Sequence, residues 1–166
     1  MNNINEKLYN AVYCKKKRKL KKLIEKGANV DYSDEDGRSI LMHAILAENS
    51  DLEIIKILVE SGADINYQEQ IGQKWSVLHF AVREGNVEIV NFLLGNNDIE
   101  IDPQDSFGNT PLWRAVMSFK GNTEIIEKLV EKGADKNKPN KEGVSPVTLA
   151  KTIGSESLLK SLESEK

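Results

Sequence analysis

Few residues of this sequence could carry out catalysis or hold a metal ion. The chain of 166 residues contains two histidines, His43 and His79, and one cysteine, Cys14. A structural zinc site usually needs four ligands in two close pairs, which these three separated residues do not provide. A nucleophilic enzyme also needs a base and a group that orients it, and the sequence places neither beside Cys14. We therefore predict no catalytic residues, no metal site and no cofactor.

A basic run at residues 15–22 is the densest charge feature of the chain. Every residue from Lys15 to Lys22 except Leu20 is Lys or Arg. One interpretation is a site for nucleic acid or for an anionic surface. The other is the solvated outer face of a terminal helix that turns Leu20, Leu23 and Ile24 inward. Because charge runs are usually solvated, we favour the second interpretation and expect neither nucleic acid nor a membrane as the partner.

The middle of the chain is acidic. Residues 1–32 contain nine basic and three acidic residues, a net charge of +6. Residues 33–102 contain four basic and fourteen acidic residues, a net charge of −10, and the rest of the chain carries +1. Since a surface of one sign steers partners of the opposite sign, the central segment favours a partner protein with a basic surface.

A repeated pattern in the sequence predicts the secondary-structure elements on which these residues lie. Glycines recur at Gly37, Gly72, Gly108 and Gly143, spaced 35, 36 and 35 residues apart. A related hexapeptide follows each of them, at residues 39–44, 76–81, 110–115 and 145–150. Self-similarity at such a period predicts a solenoid, in which each unit buries its apolar face against its neighbours. A solenoid has a long surface and no closed pocket, which favours holding a partner over turning over a substrate.

Residues 103–138 contain the clearest unit. Gly108 ends a polar turn, Thr110 can cap a helix with its hydroxyl group, and Pro111 suits the first helical position. Apolar residues at helical spacing follow, then a polar break at residues 121–123 and a second helix that Gly133 closes. The unit therefore predicts turn, helix, turn and helix, and the chain predicts an all-α fold.

The units differ in the lengths of their connections. Units two and four have two extra residues between Ala44 and Ile54 and between Ala115 and Ile125, relative to unit three. These residues indicate either a longer first helix or a longer turn between the helices. Unit three has its own extra pair in the turn that precedes Ser76.

Two motifs accompany the repeat. They are D-x-x-G-x-T-P-L-x-x-A at residues 105–115 and G-A-D-K-N at residues 133–137, and the second has related copies at residues 27–31 and 62–66. With these motifs the chain resembles the ankyrin repeat family, as a single domain of five units at residues 1–32, 33–66, 67–102, 103–138 and 139–166. The first and last units would act as caps. The resemblance implies an ankyrin-repeat solenoid, a curved stack of antiparallel helix pairs with short hairpin turns projecting from one edge.

The resemblance also implies where partners bind, at the hairpin tips and on the inner face of the first helix of each unit. Twelve residues fall at such positions: Glu35, Asp36, Arg38, Leu46, Ile71, Gln73, Trp75, Arg83, Glu84, Phe107, Asn109 and Met117. Four of them, Ile71, Trp75, Phe107 and Met117, are apolar where we expect solvent exposure, and such side chains are typical interface anchors. Trp75 and Phe107 could instead pack onto neighbouring turns.

One histidine has an implied structural role. The histidine that the family usually carries after the leucine of the hexapeptide occurs only at His79. The resemblance implies that His79 forms hydrogen bonds with backbone groups of the adjoining turn. This structural role leaves His79 outside the candidate binding site.

We interpret the chain as a non-enzymatic module for protein–protein interaction. A sharper hypothesis makes it an inhibitor or immunity factor that covers the active cleft of a basic enzyme. The lone Cys14, the absence of an 18-residue apolar run and a polar N-terminal stretch unlike a secretory signal favour the cytoplasm. We expect a monomer.

Overall fold

The computed structural model describes residues 4–163 of the chain, so the first three residues of the polar N-terminal stretch lie outside it, as do residues 164–166. Within residues 4–163 the chain forms helices and no strand longer than an isolated bridge, which confirms the predicted all-α fold. The helices are α1 (Ile4–Tyr13), α2 (Lys17–Glu25), α3 (Ile40–Leu46), α4 (Leu52–Glu60), α5 (Val77–Glu84), α6 (Val87–Leu94), α7 (Pro111–Met117), α8 (Glu124–Glu131), α9 (Pro146–Ile153) and α10 (Glu156–Leu162).

The helices pack as consecutive pairs in two layers. The first helices of the pairs, from α1 to α9, contact one another in sequence, and each also packs against its own second helix. The second helices, from α2 to α10, form the other layer. A continuous apolar core runs between the layers and includes the fully buried Leu20, Ile55, Leu78, Ile89 and Leu129. Burial of each such side chain contributes roughly 1.5–3 kcal/mol, so the helices are stable only as a stack.

Four first helices begin with the same cap. A hydroxyl group on Ser39, Ser76, Thr110 or Ser145 accepts a hydrogen bond from the N–H group three residues later, at N···O distances of 3.1 to 3.3 Å. Pro111 occupies the first position of α7, where its missing N–H group costs no hydrogen bond. These contacts confirm the predicted start of α7.

The extra residues of units two and four lie in the turns between helices. Helices α3 and α7 have seven residues each, whereas α5 has eight, so the first helices are not lengthened. The connections cover residues 47–51 and 118–123, against only 85–86 in unit three. That short turn is possible because Gly85 adopts a left-handed conformation with φ of +71° and Asn86 at once caps α6. The longer-turn alternative is therefore the correct one.

No helix in the part of the chain that the structure describes combines the length and the apolar character needed to cross a membrane.

Candidate functional site

The hairpin tips are built around a single side-chain oxygen. In units two, four and five, Oδ1 of Asp34, Asp105 or Asn140 accepts hydrogen bonds from the N–H groups two and four residues later, at 2.8 to 3.0 Å. A glycine with positive φ follows each of these residues at the third position. The pattern closes a tight turn without a strand.

Unit three closes its longer turn with a longer side chain. Glu69 stands where the other units have Asp or Asn, and its Oε1 accepts hydrogen bonds from the N–H groups of Gln73 at 3.1 Å and Trp75 at 3.2 Å. The extra methylene group of glutamate lets the carboxylate reach backbone groups four and six residues away. Glu69 is only 6% exposed as a result.

Backbone hydrogen bonds join each tip to the next. We call the tips at residues 34–38, 69–75, 105–109 and 140–144 the tip row. The connecting bonds run from Gln70 N–H to Gly37 O at 3.3 Å, from Ser106 N–H to Gln73 O at 2.8 Å and from Lys141 N–H to Phe107 O at 3.0 Å. The backbones of neighbouring tips are therefore held in fixed relative positions.

In units two and four the second carboxylate oxygen of the acidic tip residue binds a side chain of the following helix. Oδ2 of Asp34 lies 2.6 Å from His43 Nε2, and Oδ2 of Asp105 lies 2.7 Å from Arg114 Nη2. Burial alone would raise the pKa of Asp105, but hydrogen bonds from Arg114 and from the turn N–H groups hold that pKa below its usual value. Asp105 is therefore ionised and bound to Arg114 at neutral pH.

Unit three lacks this arrangement because Phe80 occupies the helix position that His43 and Arg114 occupy in their units. The nearest cation to Glu69 belongs to the preceding tip, where Arg38 Nε lies 3.6 Å from Glu69 Oε2. Arg38 Nη1 lies 3.7 Å from Asp36, and both distances are longer than a hydrogen bond. Glu69 is thus a buried carboxylate with a weakly engaged second oxygen.

A cavity of about 220 Å³ opens beside this carboxylate, and we call it the Glu69 pocket. It is lined by Asp36, Arg38, Glu69, Ile71, Gly72, Gln73, Trp75, Phe80 and Arg83. Trp75 and Phe80 are buried at 9% and 2% exposure, whereas Ile71 is 58% exposed at the rim. The pocket is therefore an aromatic-lined recess with charged walls at the contact between units two and three.

Guanidinium groups surround Trp75. The guanidinium carbon of Arg114 lies 4.6 Å from the centre of the Trp75 ring, and that of Arg83 lies 5.1 Å from it. Salt bridges to Asp105 and Glu84, each at 2.7 Å, hold these two arginines in place. Cation–π contacts of this kind add stability beyond the burial of the indole.

The structure brings half of the predicted site residues together and separates the rest. Six of the twelve line the Glu69 pocket: Asp36, Arg38, Ile71, Gln73, Trp75 and Arg83. Glu35 and Phe107 are exposed on the tip row. Leu46 and Glu84 line a different cavity near the turns between helices, and Met117 ends α7 at 58% exposure.

Two of the predicted site residues are buried, and for Trp75 the alternative of packing onto neighbouring turns is the correct one. Trp75 is buried because it lies under Arg83 and Arg114, so it packs within the tip row and is no exposed anchor. Asn109 is 5% exposed because its side chain binds Asp105 and Asn140. The expected exposure of Ile71, Phe107 and Met117 is confirmed, at 58%, 55% and 58%.

Three residues of this region were not among the predicted ones. They are Glu69, Phe80 and Arg114, which determine the shape and charge of the recess. An alignment of the whole units, turns included, contains the signal for all three, because it shows Glu in place of Asp or Asn at the turn and Phe in place of His or Arg on the helix. Their contacts with other units, however, become visible only in the stacked structure.

His79 connects two units. It is fully buried, and its Nδ1 accepts hydrogen bonds from Ser76 N–H at 3.2 Å and from the Ser76 hydroxyl group at 2.8 Å. The proton therefore lies on Nε2, which donates to the Asn109 carbonyl of the next unit at 3.0 Å. The expected bonding of His79 to backbone groups of adjoining turns is confirmed.

The basic run lies on α2 and on the turn before it. Leu20 and Leu23 are buried, as predicted, whereas Arg18, Lys19, Lys21 and Lys22 are exposed. Two lysines of the run have partners: Lys17 lies 2.9 Å from Asp51, and Lys15 donates to the Asn49 carbonyl at 2.6 Å. The solvated role of this face stays a prediction.

Metal-binding geometry is not found in the described part of the chain. Among residues 4–163, no three His, Cys, Asp or Glu side chains are grouped closely enough to hold an ion. Cys14 is an exposed free thiol.

Comparison with known proteins identifies the family. A family model described as ankyrin repeats (3 copies) matches residues 3–69 and 46–140. Ankyrin repeat domain-containing protein 29 of Danio rerio is 32% identical over 62 residues, which are 37% of this chain and 20% of that protein. Diacylglycerol kinase iota of Homo sapiens is 35% identical over 91 residues, which are 54% of this chain and 8% of that protein. The matched regions thus span no more than a fifth of these relatives. On the strength of the family model, which covers most of its length, this chain belongs to the ankyrin repeat family.

Proposed function

We propose that this chain is a non-enzymatic module that binds a partner protein with its tip row and the recess beside it. Ankyrin repeats generally mediate protein–protein interaction. The observation that carries the proposal is the exposure of Ile71 and Phe107, at 58% and 55%, on neighbouring tips. Because backbone hydrogen bonds hold these tips together, the backbone of the tips need not be ordered on binding, which lowers the entropic cost.

The test removes the two exposed anchors. Affinity capture from the native host identifies the partner, and its dissociation constant is then measured for Ile71→Ala, Phe107→Ala and the unchanged protein. We expect each substitution to weaken binding about tenfold, as for well-placed apolar anchors. Ile153→Ala, which truncates a 43% exposed side chain at the end of α9, should leave binding unchanged. Full affinity in both tip variants would exclude the tip row as the binding surface.

We further propose that the partner has a basic surface and that this chain acts in the cytoplasm. Residues 33–102 carry a net charge of −10, and Glu35, Asp36 and Glu84 are exposed among them, which suits a basic partner. In its sharper form the module is an inhibitor or immunity factor that covers the cleft of a basic enzyme. The single free thiol of Cys14 suits a cytoplasmic protein that acts as a monomer.

Association kinetics test the charge of the partner. If attraction between opposite charges steers the encounter, the association rate constant should fall roughly tenfold or more between low and physiological ionic strength, while the dissociation rate constant changes little. Stopped-flow mixing with the captured partner measures both constants. A rate constant that does not depend on salt would argue against a basic partner surface.

A further inference from the structure

The Glu69 pocket is the most asymmetric part of the tip row. The other acidic tips pair their second oxygen with His43 or Arg114 at 2.6 to 2.7 Å, and only Glu69 lacks such a partner. A carboxylate that is 94% buried normally has its lone pairs satisfied, because an unmade bond to a buried charge is costly. The Oε2 atom of Glu69 therefore has an acceptor site available next to an open recess.

The charged residues that line the recess, Asp36, Arg38, Glu69 and Arg83, sum to zero, but Arg83 is paired with an acid outside the lining. Arg83 is held by Glu84 through two hydrogen bonds at 2.7 and 2.9 Å, which neutralises it. Arg38 remains against both Asp36 and Glu69, so the walls carry one uncompensated negative charge. An incoming anion would meet that excess, whereas an incoming cation would remove it.

The apolar part of the recess suits a long side chain. Ile71 forms an exposed rim, and Trp75 and Phe80 form buried walls behind it. Lysine and arginine place an aliphatic stem on such a surface and a charge at its end. A cavity of about 220 Å³ is large enough for one side chain of this kind and too small for a folded element.

We propose that the Glu69 pocket binds the cationic side chain of one lysine or arginine of the partner protein. The stem packs against Ile71 and Trp75, and the charged end donates hydrogen bonds to Glu69 Oε2 and to Asp36. This inference rests on the proposed function, since it names the group of the partner that the tip row recognises. It assigns selectivity for a basic residue to one position between units two and three.

The experiment uses small probes, so it does not depend on knowing the partner. The probes are the N-acetyl methylamides of lysine, arginine, norleucine and glutamate. Binding is followed by NMR through the indole N–H resonance of Trp75, and Trp113 serves as an internal reference because it does not line the pocket. We expect saturable shifts of the Trp75 signal with lysine or arginine, and at least tenfold weaker binding of norleucine and glutamate.

A conservative substitution removes only the charge. Glu69→Gln keeps an oxygen for the N–H groups of Gln73 and Trp75 and should weaken binding of the lysine probe about tenfold. Glu142→Gln, which neutralises an exposed acid on the tip of unit five, should have no effect. Should Glu69→Gln fail to fold, Asp36→Asn tests the second carboxylate without touching the turn bonds of Glu69.

Three results would overturn the inference. They are equal binding of lysine and norleucine, tighter binding of glutamate than of lysine, and unchanged lysine binding in Glu69→Gln and Asp36→Asn. None of them affects the proposed function, which is judged by the partner affinities of Ile71→Ala and Phe107→Ala. Conversely, the pocket could bind the lysine probe while Ile71→Ala and Phe107→Ala bind the partner with unchanged affinity. That result would exclude the proposed function alone.

Discussion

Acidification from pH 7 to pH 4 should lower the free energy of unfolding by about 3 kcal/mol through His79 alone. Burial lowers the pKa of His79 to about 4 in the folded protein, although the Asn109 carbonyl and the charge of Asp105 oppose that shift. The unfolded chain has the ordinary histidine pKa of about 6.5. Between pH 6.5 and pH 4 the unfolded state therefore binds a proton that the folded state does not bind. The free energy of unfolding falls as the pH drops through this range.

The structural reason is the hydrogen bonding of the ring. Neutral His79 accepts from Ser76 through Nδ1 and donates to Asn109 through Nε2, so both nitrogens are used. A second proton would turn Nδ1 into a donor that faces the Ser76 N–H group. Protonation thus breaks a contact within unit three and places an unpaired charge between two units.

A comparison with His79→Gln isolates this effect from the carboxylates that titrate in the same range. Urea unfolding at pH 7 and pH 4 measures the stability of both proteins. The unchanged protein should be more stable at pH 7, and its advantage should shrink by about 3 kcal/mol at pH 4. An advantage that is the same at both pH values would contradict the assigned protonation of His79.

Gly108→Ala should destabilise the protein by about 3 kcal/mol, and Gly143→Ala by only about 1 kcal/mol. Each glycine lies three residues after the residue whose side chain closes its tip, Asp105 or Asn140, and the φ angles are +81° and +76°. A Cβ atom at Gly108 would lie 2.8 Å from the backbone nitrogen of Lys141 in the next tip, whereas at Gly143 no atom lies within 4 Å. Both variants incur left-handed strain, but only Gly108→Ala forces two tips apart.

Urea unfolding of the two variants at neutral pH measures the difference. The larger loss in Gly108→Ala should come with faster hydrogen exchange of the Lys141 N–H group, because its bond to the Phe107 carbonyl joins the tips. Equal losses in both variants would mean that contact between tips contributes nothing to stability. The tip row would then be a set of independent turns and a poorer platform for a partner.

Local signals in the amino-acid sequence are sufficient for much of the fold. The cap at Thr110, the proline that follows it and the left-handed glycines of the tips act within a few residues of the chain, so they can be recognised without a structure. The 35-residue period then implies stacked helix pairs, because no single pair can bury its apolar face alone. The sequence does not determine whether the extra residues of units two and four lengthen a helix or a turn, since that depends on where each first helix ends.

The binding surface depends on contacts between units. Whether Trp75 is exposed is determined by Arg83 and by Arg114 of the following unit, so the apolar character of Trp75 alone left exposure and packing both open. The recess beside Glu69 is likewise lined by residues of two units, with Arg38 of one tip facing the carboxylate of the next. The repeat period and the cap and turn residues of the sequence determine which helices form and that they stack. Exposure and pairing of side chains some 35 residues apart follow from the stacking itself, since they depend on distances in space that no local pattern encodes.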